Sequence, residues 1–378
     1  MREILRPGEF LARQSGDEFL GLQMSGNHPS DAQAFAERIA AVLATPFRVH
    51  DHIITLTASI GYSIFPIDSP EREQVLSNAK LAMHRGKSKQ RGLICRYQRE
   101  MDDQARARRA LARDLQTAAQ NEELVLFYQL QTSLADGAIC GAEALMRWKH
   151  PNRGMVSPVE FIPLAEETEA IIGMGEWALR RACLDAAKGR IPGTIAVNLS
   201  PVQFSRDNLA ETIHAILIET GLSPNRLEVE VTESTIMSDQ TRGLHVLRKL
   251  KAMGISVAMD DFGTGHSSLA TLHSFPFDKI KLDQSFVRRV PEDAAAAAIV
   301  RTVLALGVSL GIPVLAEGIE THTQWQFLAN AGCSKGQGYL FAKPVPLEQM
   351  STAIAKANEL LRHDAPTPVA APRRALAG

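Results

Sequence analysis

The chain has 378 residues, of which 45% are hydrophobic and 22% are charged. These fractions are ordinary for folded water-soluble proteins, and the length favours two or three domains over one small domain. Lys and Arg number 41 against 42 Asp and Glu, for a net charge of −1, which excludes a global field that would gather nucleic acid or anionic membrane. Any anionic ligand therefore needs a local site.

The start of the sequence and its cysteines bear on the compartment. Residues 1–7 lack a continuous apolar segment, which is not typical of a secretory signal. The most apolar stretch, 294–316, contains Arg301 and Pro313, so it indicates a helix running into a strand instead of a bilayer span. The four cysteines lie far apart without C-x-x-C spacing. We therefore predict a cytoplasmic protein with reduced cysteines and no membrane segment in this chain.

The first hundred residues alternate short strands with helices. Residues 10–13 and 19–23 flank a Gly-containing turn, which predicts a hairpin. The elements predicted after it are a helix from Ser30, strands at 53–59 and 61–65, a helix at 72–87 and a strand at 94–97. Residues 101–121 are rich in Arg and Ala and contain no Gly or Pro, so they predict a helix joining two domains.

From Leu124 onward, short apolar strands alternate with amphipathic helices. Asp136-Gly137 is a hairpin signal between the first two strands, and helices separate the others, as a parallel barrel requires. The predicted strands are 124–129, 139–145, 194–198, 227–231, 255–259, 279–282, 314–316 and 338–341. The predicted fold class is α/β: a (β/α)8 TIM-like barrel with one antiparallel strand, preceded by a partial α/β domain.

These patterns also divide the chain. The predicted boundaries are a first α/β domain at 1–98, a helical linker at 99–121, the barrel at 122–363 and an Ala/Pro-rich disordered tail at 364–378.

Acidic residues recur at the carboxyl ends of the predicted barrel strands, where barrel enzymes place their reactive groups. A lone acid at a strand end is more often a helix cap or a solvated charge. Four strands that carry acids together predict bound cations, because converging carboxylates repel one another. Oxygen ligands without Cys or His favour Mg²⁺ or Mn²⁺ over zinc. The residues concerned are Glu143, Asn198, Glu230, Glu233, Asp260, Asp261 and Glu317, with Lys281 inside a further strand.

Eight short motifs follow one another through the barrel region. They are Glu143-Ala144-Leu145 with Arg147-Trp148, 161–166, Asn198-Leu199-Ser200, 230–233, 260–265, 281–283, 316–320 and Gln337-Gly338-Tyr339. In this order they resemble the EAL-domain phosphodiesterases of cyclic di-GMP. The resemblance covers the whole barrel region.

The resemblance implies a two-metal hydrolysis that opens one phosphodiester of cyclic di-GMP and gives linear pGpG. It implies two Mg²⁺ or Mn²⁺ ions per active site. One ion would be held by Glu143, Asn198, Glu230 and Asp260, and the other by Asp260, Asp261 and Glu317. It further implies a homodimer through the barrel domain, with no nucleic-acid polymer as a partner.

The same resemblance implies roles for the remaining site residues. Lys281 would orient the attacking water and Gln337 would assist it, so that these two join Glu143 and Glu317 as catalytic residues. Arg147 would contact phosphate, with Leu145 and Gln337 also at the substrate. Glu233 would anchor the loop at 261–268 without binding metal.

Plainer interpretations of these residues stay open. Arg147 is alternatively a surface cation beside Trp148, and Gln337 an ordinary strand-end cap. Lys281 is alternatively a structural strand residue, although a lysine in an apolar strand is costly unless it faces a polar site. For the whole protein, the alternative is a catalytically silent cyclic di-GMP receptor or a protein-interaction module. Such receptors are expected to have lost acids from the metal set, and this sequence keeps them.

A second resemblance lies upstream. Ser15-Gly16-Asp17-Glu18-Phe19, with 58–61 and 82–87 downstream, is similar to the second half of a GGDEF diguanylate cyclase domain. It covers residues 1–98, begins its motif with Ser15, and has Glu9 where the family's inhibitory site has Asp. The resemblance implies a truncated, degenerate domain without cyclase activity.

Overall fold

The computed structural model describes residues 4–24, 29–49, 52–237, 239–263 and 275–364. The chain separates into two compact units, Met1–Leu111 and Ala112–Gly378. Residues 365–378 of the predicted tail lie outside the described residues.

The first unit contains three two-stranded sheets and the helices between them. Its strands are β1 (Glu9–Ser15), β2 (Glu18–Gln23), β3 (Phe47–Val49), β4 (His52–Ile54), β5 (Ile60–Tyr62) and β6 (Ile94–Arg96). Its helices are α1 (Pro29–Ala44), α2 (Arg72–Lys89) and α3 (Glu100–Leu115), the last of which crosses the boundary at residue 111. Strands β5 and β6 are parallel, with α2 as the connection between them.

Close packing of α2 on β5 explains a glycine. A Cβ on Gly61 would lie 2.1 Å from the backbone nitrogen of Met83, so only glycine lets the helix approach the strand.

The structure confirms the predicted hairpin and the helix from Ser30, but it shortens several other predicted elements. The strand expected at 53–59 is limited to β4, which pairs with the unpredicted β3. The helix expected at 101–121 ends at Leu115. Glu123 then accepts a hydrogen bond from the Trp148 indole and one from the Lys149 backbone, which takes the chain out of its helical path. A tertiary contact here overrides a favourable helix composition.

The second unit is a closed eight-stranded barrel with two additional edge strands. The strands are β7 (Leu124–Ser133), β8 (Ile139–His150), β9 (Gly154–Val156), β10 (Thr194–Asn198), β11 (Leu227–Thr232), β12 (Ser256–Phe262), β13 (Lys279–Leu282), β14 (Val314–Ala316), β15 (Lys335–Gly336) and β16 (Val345–Pro346). Strand β7 is antiparallel to both β8 and β15 and closes the barrel, as the Asp136-Gly137 signal predicts. The predicted TIM-like barrel with one antiparallel strand is confirmed.

Helices surround the barrel. They are α4 (Pro158–Glu167), α5 (Ala170–Ala187), α6 (Pro201–Phe204), α7 (Leu209–Thr220), α8 (Glu233–Met237), α9 (Gln240–Ala252), α10 (Gln284–Val287), α11 (Ala294–Leu310), α12 (His322–Asn330) and α13 (Met350–Asp364), with 3₁₀ turns at Pro224–Arg226 and Leu347–Gln349. No helix of the described residues is both long and apolar enough to span a bilayer.

The two faces of the barrel strands carry different chemistry. Side chains such as Val229, Val257 and Ile280 belong to the apolar core beneath the helices. Their strand neighbours Glu230 and Lys281 are just as buried but face the barrel interior, because successive side chains of a strand point to opposite sides. The hydrophobic core therefore lies outside the barrel wall, and the interior is free to hold charge.

The eighth predicted strand is misplaced. The structure has β15 at Lys335–Gly336, and the run at 338–341 turns away from the barrel. Phe341 from this run packs edge-on against Trp325 of α12, with ring centroids 5.4 Å apart. The run is therefore apolar because it packs against a helix outside the barrel. Composition alone does not distinguish such a packed turn from a buried strand.

Candidate active site

A lysine stands at the centre of the barrel's carboxyl end. Lys281 of β13 is 1% exposed, and its Nζ lies 2.5 Å from Glu230, 2.9 Å from Glu317, 3.1 Å from Asp260 and 3.7 Å from Glu143. We call Glu143, Glu230, Asp260 and Glu317 the acid cluster. Each comes from a different strand or from the residue after one, so closure of the sheet brings them together.

Amide side chains hold Glu143 in place. Asn198 donates a hydrogen bond to Oε1 at 2.7 Å, and Gln337 donates one to Oε2 at 2.5 Å. Gln337 also donates to Gln129 Oε1 at 2.9 Å, which fixes its amide from a second side. Each carboxylate oxygen of Glu143 therefore accepts a hydrogen bond from a neutral amide, and Lys281 forms an ion pair with Oε1 at 3.7 Å.

A β-bulge shapes the segment that carries Asp260 and Asp261. Met259 pairs with Ile280 and Phe262 pairs with Leu282. Between these two pairs β12 has two residues, whereas β13 has one. Asp261 accommodates the extra residue with a left-handed φ of 54°. A bulge redirects side chains at a sheet end, and here it aims Asp260 at Lys281 while Asp261 remains exposed.

The electrostatics show more negative charge than one ammonium offsets. Burial and the nearby Glu143 carboxylate raise the pKa of Glu230 well above its usual range. Burial also raises the pKa of Glu317 to about 8, and burial with Asp260 alongside raises that of Asp261. Burial alone would lower the pKa of Lys281, but the acid cluster outweighs it and raises that pKa well above normal.

Glu143 differs from these acids. Burial acts to raise the pKa of its carboxyl, yet Lys281, Gln337 and Asn198 together bring it below its ordinary value. The cluster thus contains one carboxylate that is held in its charged form beside Glu230 and Glu317, which resist ionisation.

A cavity of about 290 Å³ opens above the cluster. Glu143, Asp260, Lys281 and Glu317 line its floor, and Arg147, Leu145 and Tyr339 are among the residues of its walls. The Arg147 guanidinium lies over the Phe127 ring, 5.8 Å from its centroid, and donates a hydrogen bond to the Met146 carbonyl. A phosphate entering this cavity would meet a guanidinium fork beside the acids.

The donor set fits hard divalent cations. Among the described residues, no three His, Cys, Asp or Glu side chains are arranged to hold a metal ion. The acid cluster instead converges on the Lys281 ammonium. Glu230 Oε1 is nevertheless buried without a hydrogen-bond partner, and four carboxyl groups share the one Lys281 ammonium. Oxygen donors with such a deficit are those that Mg²⁺ or Mn²⁺ would complete.

The structure places most of the predicted site residues together. Glu143, Leu145, Arg147, Asn198, Asp260, Lys281, Glu317 and Gln337 line one cavity, and Glu230 lies buried against Lys281. Asp261 follows on the bulge but is not among the lining residues. Glu233 begins α8 after β11, while 264–268 of the loop it is expected to anchor lies outside the described residues.

Sequence reasoning missed a second set of interior polar residues. Gln129 supports Gln337, and Lys279 pairs with Glu228 beside Gln131 deeper in the barrel. The signal was present as two-residue repeats, Glu228-Val229-Glu230 and Lys279-Ile280-Lys281, which place both charges of a strand on one face.

Comparison with known proteins agrees with this geometry. The EAL domain family model matches residues 112–344, which include the whole acid cluster. The chain belongs to the EAL-domain family. A second model, diguanylate cyclase GGDEF domain, matches residues 1–92. The resemblance drawn from the motifs is thereby confirmed for both regions.

The relatives of this chain include a signaling protein and a protein named as a cyclic di-GMP phosphodiesterase. An uncharacterized signaling protein of Caulobacter vibrioides is 47% identical over 352 residues, covering 93% of this chain and 44% of the relative. The bifunctional diguanylate cyclase/cyclic di-GMP phosphodiesterase MucR of Pseudomonas aeruginosa is 38% identical over 361 residues, covering 94% of this chain and 52% of MucR. The chain thus spans about half the length of the curated relatives it matches.

A solved structure gives a closer view of the barrel. The MucR phosphodiesterase in complex with c-di-GMP is 40% identical, with a TM-score of 0.61, and covers 64% of this chain and 99% of that one. The match supports the barrel architecture described above.

Proposed function

We propose that this chain hydrolyses one phosphodiester bond of cyclic di-GMP to give linear pGpG, with Mg²⁺ or Mn²⁺ as cofactor. The observation that carries the proposal is the acid cluster at the floor of a cavity that also contains Arg147. Such a site can hold cations and a phosphate side by side. The name of the MucR phosphodiesterase complex supports cyclic di-GMP as the substrate.

The proposed cation ligands follow the sequence prediction. Glu143, Asn198, Glu230 and Asp260 would hold one ion, and Asp260, Asp261 and Glu317 the other. When bound, two such cations lower the pKa of a shared water and stabilise the charge that develops on the phosphate. Asn198 and Gln337 keep the Glu143 oxygens oriented for this role.

The cationic side chains of the cavity act on water and substrate. Lys281 is the donor that orients the attacking water, since its Nζ lies between the acids from both proposed ligand sets. Arg147 binds a phosphate oxygen pair, with Leu145 beside the substrate, and Gln337 assists the water by hydrogen bonding. Glu233 supports the loop after Asp261.

The deciding experiment incubates the purified chain with cyclic di-GMP and Mg²⁺ or Mn²⁺ and follows pGpG by chromatography. We expect turnover by the wild type and none above background by Glu143→Gln. The competing function is a silent cyclic di-GMP receptor. Calorimetric binding of cyclic di-GMP without any pGpG from the wild type would establish the receptor and refute the hydrolase.

The proposal includes a homodimer through the barrel domain. Light scattering at micromolar concentration is expected to give twice the 41.3 kDa mass of one chain. A monomeric mass would remove this part of the proposal and leave the chemistry untouched.

A further inference from the structure

The amide of Gln337 is held between two neighbouring barrel strands. Gln129 of β7 lies directly opposite Glu143 of β8 in the antiparallel register, and side chains so paired are close neighbours. The Gln337 nitrogen bridges the two, because it donates hydrogen bonds to Gln129 Oε1 at 2.9 Å and to Glu143 Oε2 at 2.5 Å. All three side chains are buried. Both amide hydrogens of Gln337 are therefore engaged.

The Ala342 carbonyl determines the direction of the Gln129 amide. Gln129 Nε2 donates a hydrogen bond to this carbonyl at 3.2 Å. A carbonyl oxygen only accepts, so the NH2 group of Gln129 faces Ala342 and its oxygen faces Gln337. Phe341, beside Ala342, packs edge-on against Trp325 and holds this turn in place. The turn after Gln337 therefore orients the Gln337 amide through Gln129.

This arrangement leaves one acceptor of Gln337 unused. Its Oε1 is buried and has no hydrogen-bond partner among the described residues. Buried polar oxygens are normally satisfied by protein or by ordered water, and Gln337 lines the cavity. Oε1 is thus the atom through which Gln337 accepts a hydrogen bond from a water molecule. With the amide reversed, the oxygen would face the acceptors of Gln129 and Glu143 instead.

We infer that Gln129 is a positioning residue for the reaction, because it ties the Gln337 amide to the Ala342 carbonyl and keeps Oε1 of Gln337 available to water. The inference rests on the proposed hydrolase function. Glu143 alone is an incomplete anchor, since one hydrogen bond lets the amide pivot and leaves the second N–H buried without a partner. Glu143 is also a proposed cation ligand, whereas the Gln129 oxygen is committed to Gln337.

The kinetic test uses Gln129→Met, which keeps an unbranched side chain of similar length and removes the amide. We expect kcat to fall by about tenfold to a hundredfold with KM within about twofold of wild type, because a misplaced catalytic group weakens binding of the transition state alone. Gln129→Met is also made in Gln337→Met, which has no amide to position. There it is expected to change kcat by less than about twofold.

The double variant separates positioning from direct action on the substrate. This distinction is needed because Gln129 itself lines the cavity. A substrate contact by Gln129 would raise KM, and its loss would lower kcat/KM as much in Gln337→Met as in the wild type. That result overturns the inference. So does a wild-type kcat for folded Gln129→Met.

Tyr128→Phe is the matched control. Tyr128 precedes Gln129 on β7 and donates a buried hydrogen bond to Asp185 at 2.7 Å on the other face of the strand. The variant removes this bond, while Arg181 still pairs with Asp185 at 2.9 Å. We expect a lower melting temperature with kcat and KM unchanged. A kcat loss as large as that of Gln129→Met would show that any weakening of β7 lowers activity, and would overturn the inference.

A second readout does not depend on catalysis. The melting temperatures of the wild type, Gln129→Met, Gln337→Met and the double variant are compared. Either single variant leaves the other amide with an unpaired buried group, and the second substitution removes that group. The double variant is therefore expected to melt at least about 2 °C higher than additivity of the single shifts predicts.

The two readouts separate the possible failures. Additive melting shifts overturn the inference, whatever the kinetics. A wild type that forms no pGpG refutes the hydrolase proposal, while the melting comparison still decides whether Gln129 holds Gln337. Should Gln129→Met fail to fold, Gln129→Asn is measured in the same way with the same expected results, because its amide is one methylene too short to join Ala342 to Gln337.

Discussion

The barrel and the first unit place charged and apolar side chains in opposite ways. Barrel strands are buried on both faces, and their inward face carries the acids around Lys281. In the β1–β2 hairpin of the first unit, large apolar side chains are exposed instead, with Phe10 at 56%, Phe19 at 49% and Leu22 at 55%. A closed sheet is what lets charges from many strands meet at one desolvated point.

The two regions also differ in what their acidic residues can do. Asp17 and Glu18 at the hairpin turn are exposed, and water screens each of them separately. Asp260 and Glu317 both contact the buried Lys281 ammonium. Burial raises the pKa of Glu317 to about 8. The same residue types therefore form a cluster around a buried ammonium in one region and solvated charges in the other.

Metal removal is expected to have the largest effect. Treatment with EDTA should reduce pGpG formation to background, because four carboxyl groups share the one Lys281 ammonium and would repel a phosphate without additional cations. Added Mg²⁺ or Mn²⁺ should restore the rate, measured by chromatography. Full turnover after EDTA would contradict the proposed cation requirement of the barrel site. The clustered acids of the barrel would then differ from the solvated acids of the first unit only in burial.

Replacement of Lys281 comes next. In Lys281→Met, pGpG release is expected to fall by at least about a hundredfold, since a water-orienting donor is lost. Cyclic di-GMP affinity by calorimetry should stay near wild type, because Arg147 and the cavity walls remain. Lys249→Met serves as the control, because Lys249 lies in a surface ion pair, 2.7 Å from Glu211. Near-normal turnover in Lys281→Met would mean that this buried lysine is only structural.

A pair of phenylalanines sharpens the comparison in stability. Phe161 is 0% exposed and packs edge-on against Trp148, whereas Phe10 is 56% exposed. Phe161→Ala is expected to lower the free energy of unfolding by about 3–5 kcal/mol. Phe10→Ala should change it by no more than about 0.5 kcal/mol. Urea unfolding of both variants measures the difference, and equal losses would contradict the burial contrast.

The smallest effect is expected in the first unit. We predict no cyclic di-GMP from GTP, since Ser15 replaces the first motif glycine. Glu18→Gln should also leave cyclic di-GMP hydrolysis unchanged. Cyclic di-GMP formed from GTP by the purified chain would refute this prediction.

Much of the barrel was predictable from local patterns. Strands β10, β13 and β14 match their predicted bounds, and Asp136-Gly137 marked the antiparallel closure. The predicted bounds are wrong where a segment packs against a residue that is distant in the sequence. The run at 338–341 is apolar because it packs on Trp325, and the helix before β7 ends early because Glu123 is held by Trp148.

The sequence by itself determined the order of the strands, the membership of the EAL-domain family and the identity of Lys281 and the acid cluster. The tertiary structure decided how those residues meet. Gln337 and Glu143 are 194 residues apart, and only barrel closure through β7 brings their side chains to hydrogen-bond distance. The bulge that carries Asp260 and Asp261 and the buried pair of Lys279 with Glu228 were decided in the same way. Strand register and tilt select these contacts, and both are properties of the closed sheet that no single segment contains.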